Sequence, residues 1–140
     1  MKKWVVFLSL FFPTSLWGSE LKILTEKGHL LFEAELVTTD AQTSLGLMYR
    51  TELKDRHGML LVMNPQNRTV MWMKNTSIPL DMMFINTQGT IVHIQENTKP
   101  YSTKPIGYFT NVLAVFEVPS GTCDKEGIHV GDKVSYHLFQ

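Results

Sequence analysis

Between Leu30 and Val37 the chain alternates, with Leu30, Phe32, Ala34 and Leu36 interleaved with Leu31, Glu33, Glu35 and Val37. Period-two alternation puts successive side chains on opposite faces of a strand, so this segment reads as a strand with one buried face. Leu21 to Leu24 precedes it across a turn at Lys27-Gly28, which makes a hairpin. The same kind of segment then recurs. Met59 to Met63 is an apolar strand ended by Asn64-Pro65-Gln66-Asn67, and Val70 to Met73, Met82 to Asn86, Thr90 to Gln95, Val112 to Val118 and Lys133 to Leu138 follow. Asn86-Thr87-Gln88-Gly89 supplies a hairpin connection between two of them. Short strands at regular spacing predict a mainly β, single-domain, antiparallel sandwich or barrel, jelly-roll-like, of roughly seven to nine strands.

Two places depart from this period. Thr39 or Asp40 can cap one short helix over residues 41–47, with Leu45 and Met48 inward and Gly46 marking a close approach to the sheet. Thr122 to Gly127 has room for a single helical turn. Asn97 to Thr110 holds Pro100, Pro105 and Gly107 without periodicity and reads as a long surface loop.

The first 18 residues read as an address. Lys2 and Lys3 precede the apolar run Trp4 to Phe12, and Pro13 to Gly18 turns small and polar before Ser19, the pattern of a secretory signal peptide. The run is shorter than the roughly 20 residues of a spanning helix, so no membrane span is expected after its removal; retention as an anchor is the alternative. Residues 19–140 then form one domain, periplasmic or secreted. Removal of Lys2 and Lys3 leaves 11 basic against 13 acidic side chains, and no basic-aromatic patch points to nucleic acid. Cys123 is the chain's one cysteine, so burial rather than a disulfide must hold the fold, and its thiol is expected inside.

The polar interruption Lys74-Asn75-Thr76, followed by Pro79-Leu80-Asp81, sits between two apolar β segments and is the candidate site. Arg50 offers a planar fork of donors, Lys74 a mobile cation, and Asn75 and Thr76 neutral hydrogen-bonding groups. Together with Trp72 and Tyr101 these side chains suit an anionic or carbohydrate-like ligand, with Asp81 pairing to Arg50 or Lys74 or facing the ligand. The alternative is structural: Asn75 and Thr76 satisfy a turn, and Asp81 with Arg50 fixes the loop.

The blocks Gly46-Leu47-Met48-Tyr49-Arg50, Gly58-Met59-Leu60, Trp72-Met73-Lys74-Asn75-Thr76, Pro79-Leu80-Asp81, Pro100-Tyr101 and Gly127-Ile128 with Gly131-Asp132 occur in this order. In order and spacing the chain resembles the domain of unknown function 192 family from about Leu21 onward. The resemblance implies a small, mainly β domain, often exported, with no established reaction. Met71 stands where that family usually has an aromatic residue, and Cys123 where a small residue is common.

The sequence therefore predicts a binding or accessory module of the cell envelope, with a small envelope ligand or a partner protein, no nucleic acid and no cofactor. Whether it is an enzyme stays open. A hydrolase or transferase using Asp81 and Lys74 is one alternative, although no nucleophile–base or carboxylate pair has a recognisable spacing and His57, His93, His129 and His137 are dispersed. Copper(I) binding by Met59, Met63, Met71, Met73, Met82 and Met83 with His57 is another, set against methionine's ordinary role as core filler. A third is protein recognition, in which Tyr101, Tyr108 and Phe109 beside Lys104 form a stiff lip rather than simply pinning their loop.

Overall fold

A computed structural model describes residues 19–139, and the expected signal peptide, residues 1–18, lies outside them. The predicted hairpin is formed by β1 (Ser19–Thr25) and β2 (Gly28–Val37), paired from Ser19 opposite Ala34 to Thr25 opposite Gly28. The Thr25 hydroxyl closes the turn, donating to the Gly28 carbonyl at 3.0 Å and accepting from the Lys27 N–H at 3.2 Å.

After β2 the chain crosses over through residues 38–56, carrying the helix α1 (Asp40–Leu45), and returns as β3 (His57–Val62) parallel to β2. A parallel neighbour requires a crossover of a dozen or more residues, and this one lays α1 over a face of the sheet. The remaining strands are β4 (Thr69–Met71), β5 (Leu80–Asn86), β6 (Ile91–Gln95), β7 (Ile106–Phe109), β8 (Val112–Pro119) and β9 (Lys133–Ser135), with α2 (Thr122–Glu126) before the last. Their seven-stranded sheet runs β6-β5-β8-β3-β2-β1-β9, and β4 pairs β7 separately. Its two edges meet: Thr90 bridges Lys133, the Ile91 N–H donates to the Asp132 carbonyl at 2.9 Å, and the Val134 N–H to that of Gly89 at 2.7 Å. The result is a nearly closed, mainly β barrel in one domain, antiparallel except for β2 and β3.

Alternation sorts the apolar side chains into two cores. Leu21, Ile23, Phe32, Ala34, Leu60, Met83, Ile85, Ala114, Phe116 and Val118 fill the barrel, while Val37, Met59, Leu61, Leu80, Met82, Phe84 and Val115 lie on its outer face beneath Leu47 and Met73. The central strands β3, β5 and β8 are therefore buried on both sides, which explains their nearly unbroken apolar runs. At Gly58 a β-carbon would stand 2.5 Å from the Phe116 ring and 2.6 Å from the Glu117 carbonyl, so only glycine lets β3 start this close to β8.

Three expectations are corrected. The helix starts at Asp40, capped by the Thr39 hydroxyl accepting from the Gln42 N–H at 3.2 Å, and ends at Leu45 because Gly46 takes a φ of 49°. Leu45 is consequently 51% exposed, and Leu47, past the bend, is the residue buried on the sheet. The Asn97 to Thr110 segment contains β7, hidden from a periodicity reading because the β4–β7 ladder is short and shifts register between Thr69 and Met71. The closing strand β9 stops at Ser135, short of Leu138.

Candidate functional site

β8 crosses the middle of the sheet with one carboxylate inside it. Glu117 lies opposite Met59 of β3 and Met82 of β5, in an outer-face row that continues to Glu35 on β2 and Gln95 on β6. It is 4% exposed, and its Oε2 is buried with no hydrogen-bond partner. An unpaired carboxyl in an apolar setting resists ionisation, and burial pushes that of Glu117 up to about 7. No charged neighbour contributes to this rise.

Above Glu117 is a cavity of about 240 Å³. Its floor is the outer sheet face at Leu61, Leu80 and Glu117; one wall is α1 with the turn after it, from Thr43 to Met48; the other is Met63, Val70, Met71, Trp72 and Thr76. Leu45 and Trp72, each about half exposed, mark its solvent side. Among the described residues, two buried side-chain oxygens or nitrogens have no partner, Glu117 Oε2 and Thr43 Oγ1. Both residues line this one cavity.

Of the residues singled out in the sequence, Trp72 and Thr76 line the cavity. Lys74 lies over Trp72, its Nζ 5.0 Å from the ring centroid. Thr76 spends its hydroxyl on the Lys74 carbonyl at 3.0 Å, and Asn75, at a φ of 53°, donates from Nδ2 to the Tyr49 hydroxyl at 2.9 Å. The Thr76 bond closes its own turn, and the Asn75 bond ties that turn to Tyr49. Tyr101 is 64% exposed, with its N–H donating to the Thr76 carbonyl. Arg50 forms a bidentate pair with Glu35 at 2.7 and 2.8 Å and lines a separate depression together with Tyr49 and residues 51–54. Hydrogen bonding to Glu35 raises the Arg50 guanidinium further above its usual range, against the opposing pull of burial.

The expected pairing of Asp81 with Arg50 or Lys74 is not made. Asp81 follows Leu80 on β5, so alternation turns it to the barrel interior, where it is fully buried. There its two oxygens accept the N–H groups of Asn97 at 3.0 Å and Cys123 at 2.9 Å. The latter is in the first turn of α2, whose cap residue Gly121 has no side chain to offer, and Asp81 takes that role from a neighbouring strand. Cys123 is buried, and desolvation, followed by the charges of Asp81 and Glu96, drives its thiol far above the usual range.

The methionines divide as well. Met63 and Met71 line the cavity, Met59, Met73 and Met82 pack in the outer core, and Met83 is inside the barrel. No group of three or more His, Cys, Asp or Glu side chains arranged to hold a metal occurs among the described residues. In the aromatic loop Phe109 is the pin, 5.2 Å from Phe84 and 4.7 Å from His93, while Tyr108 stays exposed beneath Arg68.

Neither Glu117 nor Thr43 was among the residues expected from the sequence. The signal for Glu117 was present: it is the single charged residue between Val112 and Val118, and an ionisable group inside an apolar strand has to be either paired or functional. Thr43 had no such signal, since a threonine on a short helix is ordinarily solvated.

The profile described as domain of unknown function 192, Uncharacterized ACR, matches residues 22–136. The chain belongs to this family. Its barrel is similar to a crystal structure of a protein of unknown function from Novosphingobium aromaticivorans DSM 12444, with 37% identity, 84% of each chain covered and a TM-score of 0.80. It is also similar to a protein of Sinorhizobium meliloti 1021 provisionally described as a transcription regulator, with 36% identity, 85% of this chain and 94% of that one covered, and a TM-score of 0.80. No curated protein matches the chain.

Proposed function

We propose that this member of the domain of unknown function 192 family is an exported binding module of the cell envelope, and that a small carbohydrate-like ligand seats in the cavity beneath α1. One observation carries the reading: among the described residues, the two buried side-chain oxygens without partners both belong to residues lining one cavity. Orphaned polar groups cost about 1–3 kcal/mol each, and a ligand that hydrogen-bonds to both recovers that cost. Trp72, half exposed at the same cavity, offers an aromatic surface of the kind on which sugar rings pack.

The anionic ligand suggested by Arg50 and Lys74 is disfavoured, because the charged side chain lining the cavity is an acid and Arg50 is committed to Glu35. A hydrolase or transferase built on Asp81 and Lys74 loses its basis, since both Asp81 oxygens are held by backbone N–H groups away from the cavity. The regulator description stays with the Sinorhizobium protein. Export rests on the basic, then apolar, then small-residue order of residues 1–18.

The test is a thermal-shift screen of the full chain with envelope sugars, amino sugars and nucleotides, repeated on Glu117→Gln and Thr43→Val. A hit weakened in both folded variants supports the reading. A hit indifferent to both places the ligand elsewhere and overturns it.

A further inference from the structure

Resting on that reading, the chemistry of the cavity can be taken one step further. Among the described residues Glu117 is the charged one of its lining, and no Lys, Arg or His accompanies it there. Its cross-strand neighbours Met59 and Met82 have no side-chain N–H or O–H to give it. The other charged groups near its row are occupied or distant: Glu35, two strands away, is held by Arg50; Asp40 on α1 is exposed; and Lys74 lies over Trp72. From β5 and β6 the row presents only Met82 and Gln95. What Glu117 lacks is a strong donor, and the strongest complement to a carboxylate is a cation.

The rest of the cavity suits such a group. Met48, Met63 and Met71 supply polarisable thioether walls. The Trp72 ring already receives an ammonium, that of Lys74 at 5.0 Å, which shows this surface to be compatible with a positive group. A space of about 240 Å³ falls below the roughly 300–1,000 Å³ typical of drug-sized ligands. One ring fits this scale; a polymer segment does not.

We propose that the group received by Glu117 is a primary ammonium carried on a single ring-sized frame, so that the carbohydrate-like ligand of this cavity is an amino sugar with its nitrogen free. The ammonium pairs with the Glu117 carboxylate, a hydroxyl of the ring reaches Thr43 Oγ1, and the less polar ring face lies against the methionines and Trp72. Binding is then coupled to loss of the Glu117 proton, which leaves to solvent as the ammonium enters.

Calorimetry on the full chain, in two buffers of different ionisation enthalpy, reads that proton directly. Cyclohexylamine is the charged probe, because an alkyl ammonium stays protonated well above neutrality, and cyclohexanol is its neutral counterpart. With Glu117 titrating at about 7, cyclohexylamine should release nearly one proton at pH 6 and almost none at pH 8, and its affinity should rise about tenfold between them. Glu117→Gln should weaken binding by about tenfold or more and abolish proton release. Glucosamine, glucose and N-acetylglucosamine compared at pH 6 test the frame: glucosamine should bind at least about tenfold more tightly than either neutral sugar. Glucosamine binding without cyclohexylamine binding still supports the ammonium if proton release accompanies it. Equal binding of all three sugars with no proton release, lost in Glu117→Gln, overturns the ammonium while leaving the cavity as the site. Binding indifferent to Glu117→Gln, or no binding by either amine, overturns the ammonium outright; Thr43→Val with a sugar hit from the screen then decides the cavity separately.

Discussion

Replacing Glu117 by glutamine removes a proton-binding group from the outer core while nearly preserving its shape, and the consequence for stability can be worked through. Burial lifts the Glu117 carboxyl from an ordinary 4.5 to about 7 in the folded protein. Between those values the folded chain keeps a proton that the unfolded chain has lost, so stability falls as pH rises through this window. Below about 4.5 both states are protonated and the ionisation penalty is absent; above about 7 it is present in full. At 1.36 kcal/mol per pH unit the difference amounts to about 3 kcal/mol, and Glu117 is buried deeply enough that solvent screening does not reduce it greatly. For a domain of roughly 120 residues that is on the order of 10 °C in melting temperature. Urea unfolding of both proteins from pH 4.5 to 8.5, followed by tryptophan fluorescence, measures it. The curves should lie within about 1 kcal/mol of each other at pH 4.5 and diverge until Glu117→Gln is the more stable by about 2–3 kcal/mol at pH 8. Parallel curves across the whole range would show that Glu117 is not held protonated by burial.

Asp81→Ala should cost about 2–4 kcal/mol in urea melts, because it strands two N–H groups that the carboxylate now receives at 2.9 and 3.0 Å. A double-mutant cycle on Arg50 and Glu35 should give a coupling below about 1 kcal/mol, since both side chains keep roughly a third of their surface in water. Thr39→Ala, which removes the cap of α1, should lower stability by about 1 kcal/mol and weaken any ligand of the cavity, because α1 buries none of its own residues to hold that wall. Cys123 should resist iodoacetamide at pH 8 in the native protein and react once urea unfolds it, a contrast seen by mass spectrometry.

Alternation carried the strands because a barrel sorts side chains by period two, and from Leu30 to Val37 that sorting is written residue by residue. The parallel return of β3 carries no comparable mark, since its apolar run is the same whichever way it enters the sheet. Leu45 turns outward because Gly46 ends the helix immediately after it, and helical periodicity says nothing of where the helix stops. The structure separates the candidate residues in an instructive way: Trp72 and Thr76 line the cavity, and Asp81 does not. Lys74, Asn75, Thr76 and Asp81 are close in sequence, yet Asp81 occupies the strand position that points through the sheet. Glu117, 36 positions beyond Asp81 in the chain, meets Thr76 and Trp72 at one cavity because β8 pairs directly with β5. Proximity along the chain is a poor guide in a β protein, where strand order decides which side chains share a face.

The most direct measurement is the carboxyl carbon resonance of Glu117, followed by nuclear magnetic resonance across the pH range without and with cyclohexylamine. The midpoint should lie near 7 in the free protein and move downward when the amine is present. A midpoint near that of an exposed glutamate, about 4.3, and unmoved by the amine would contradict both expectations.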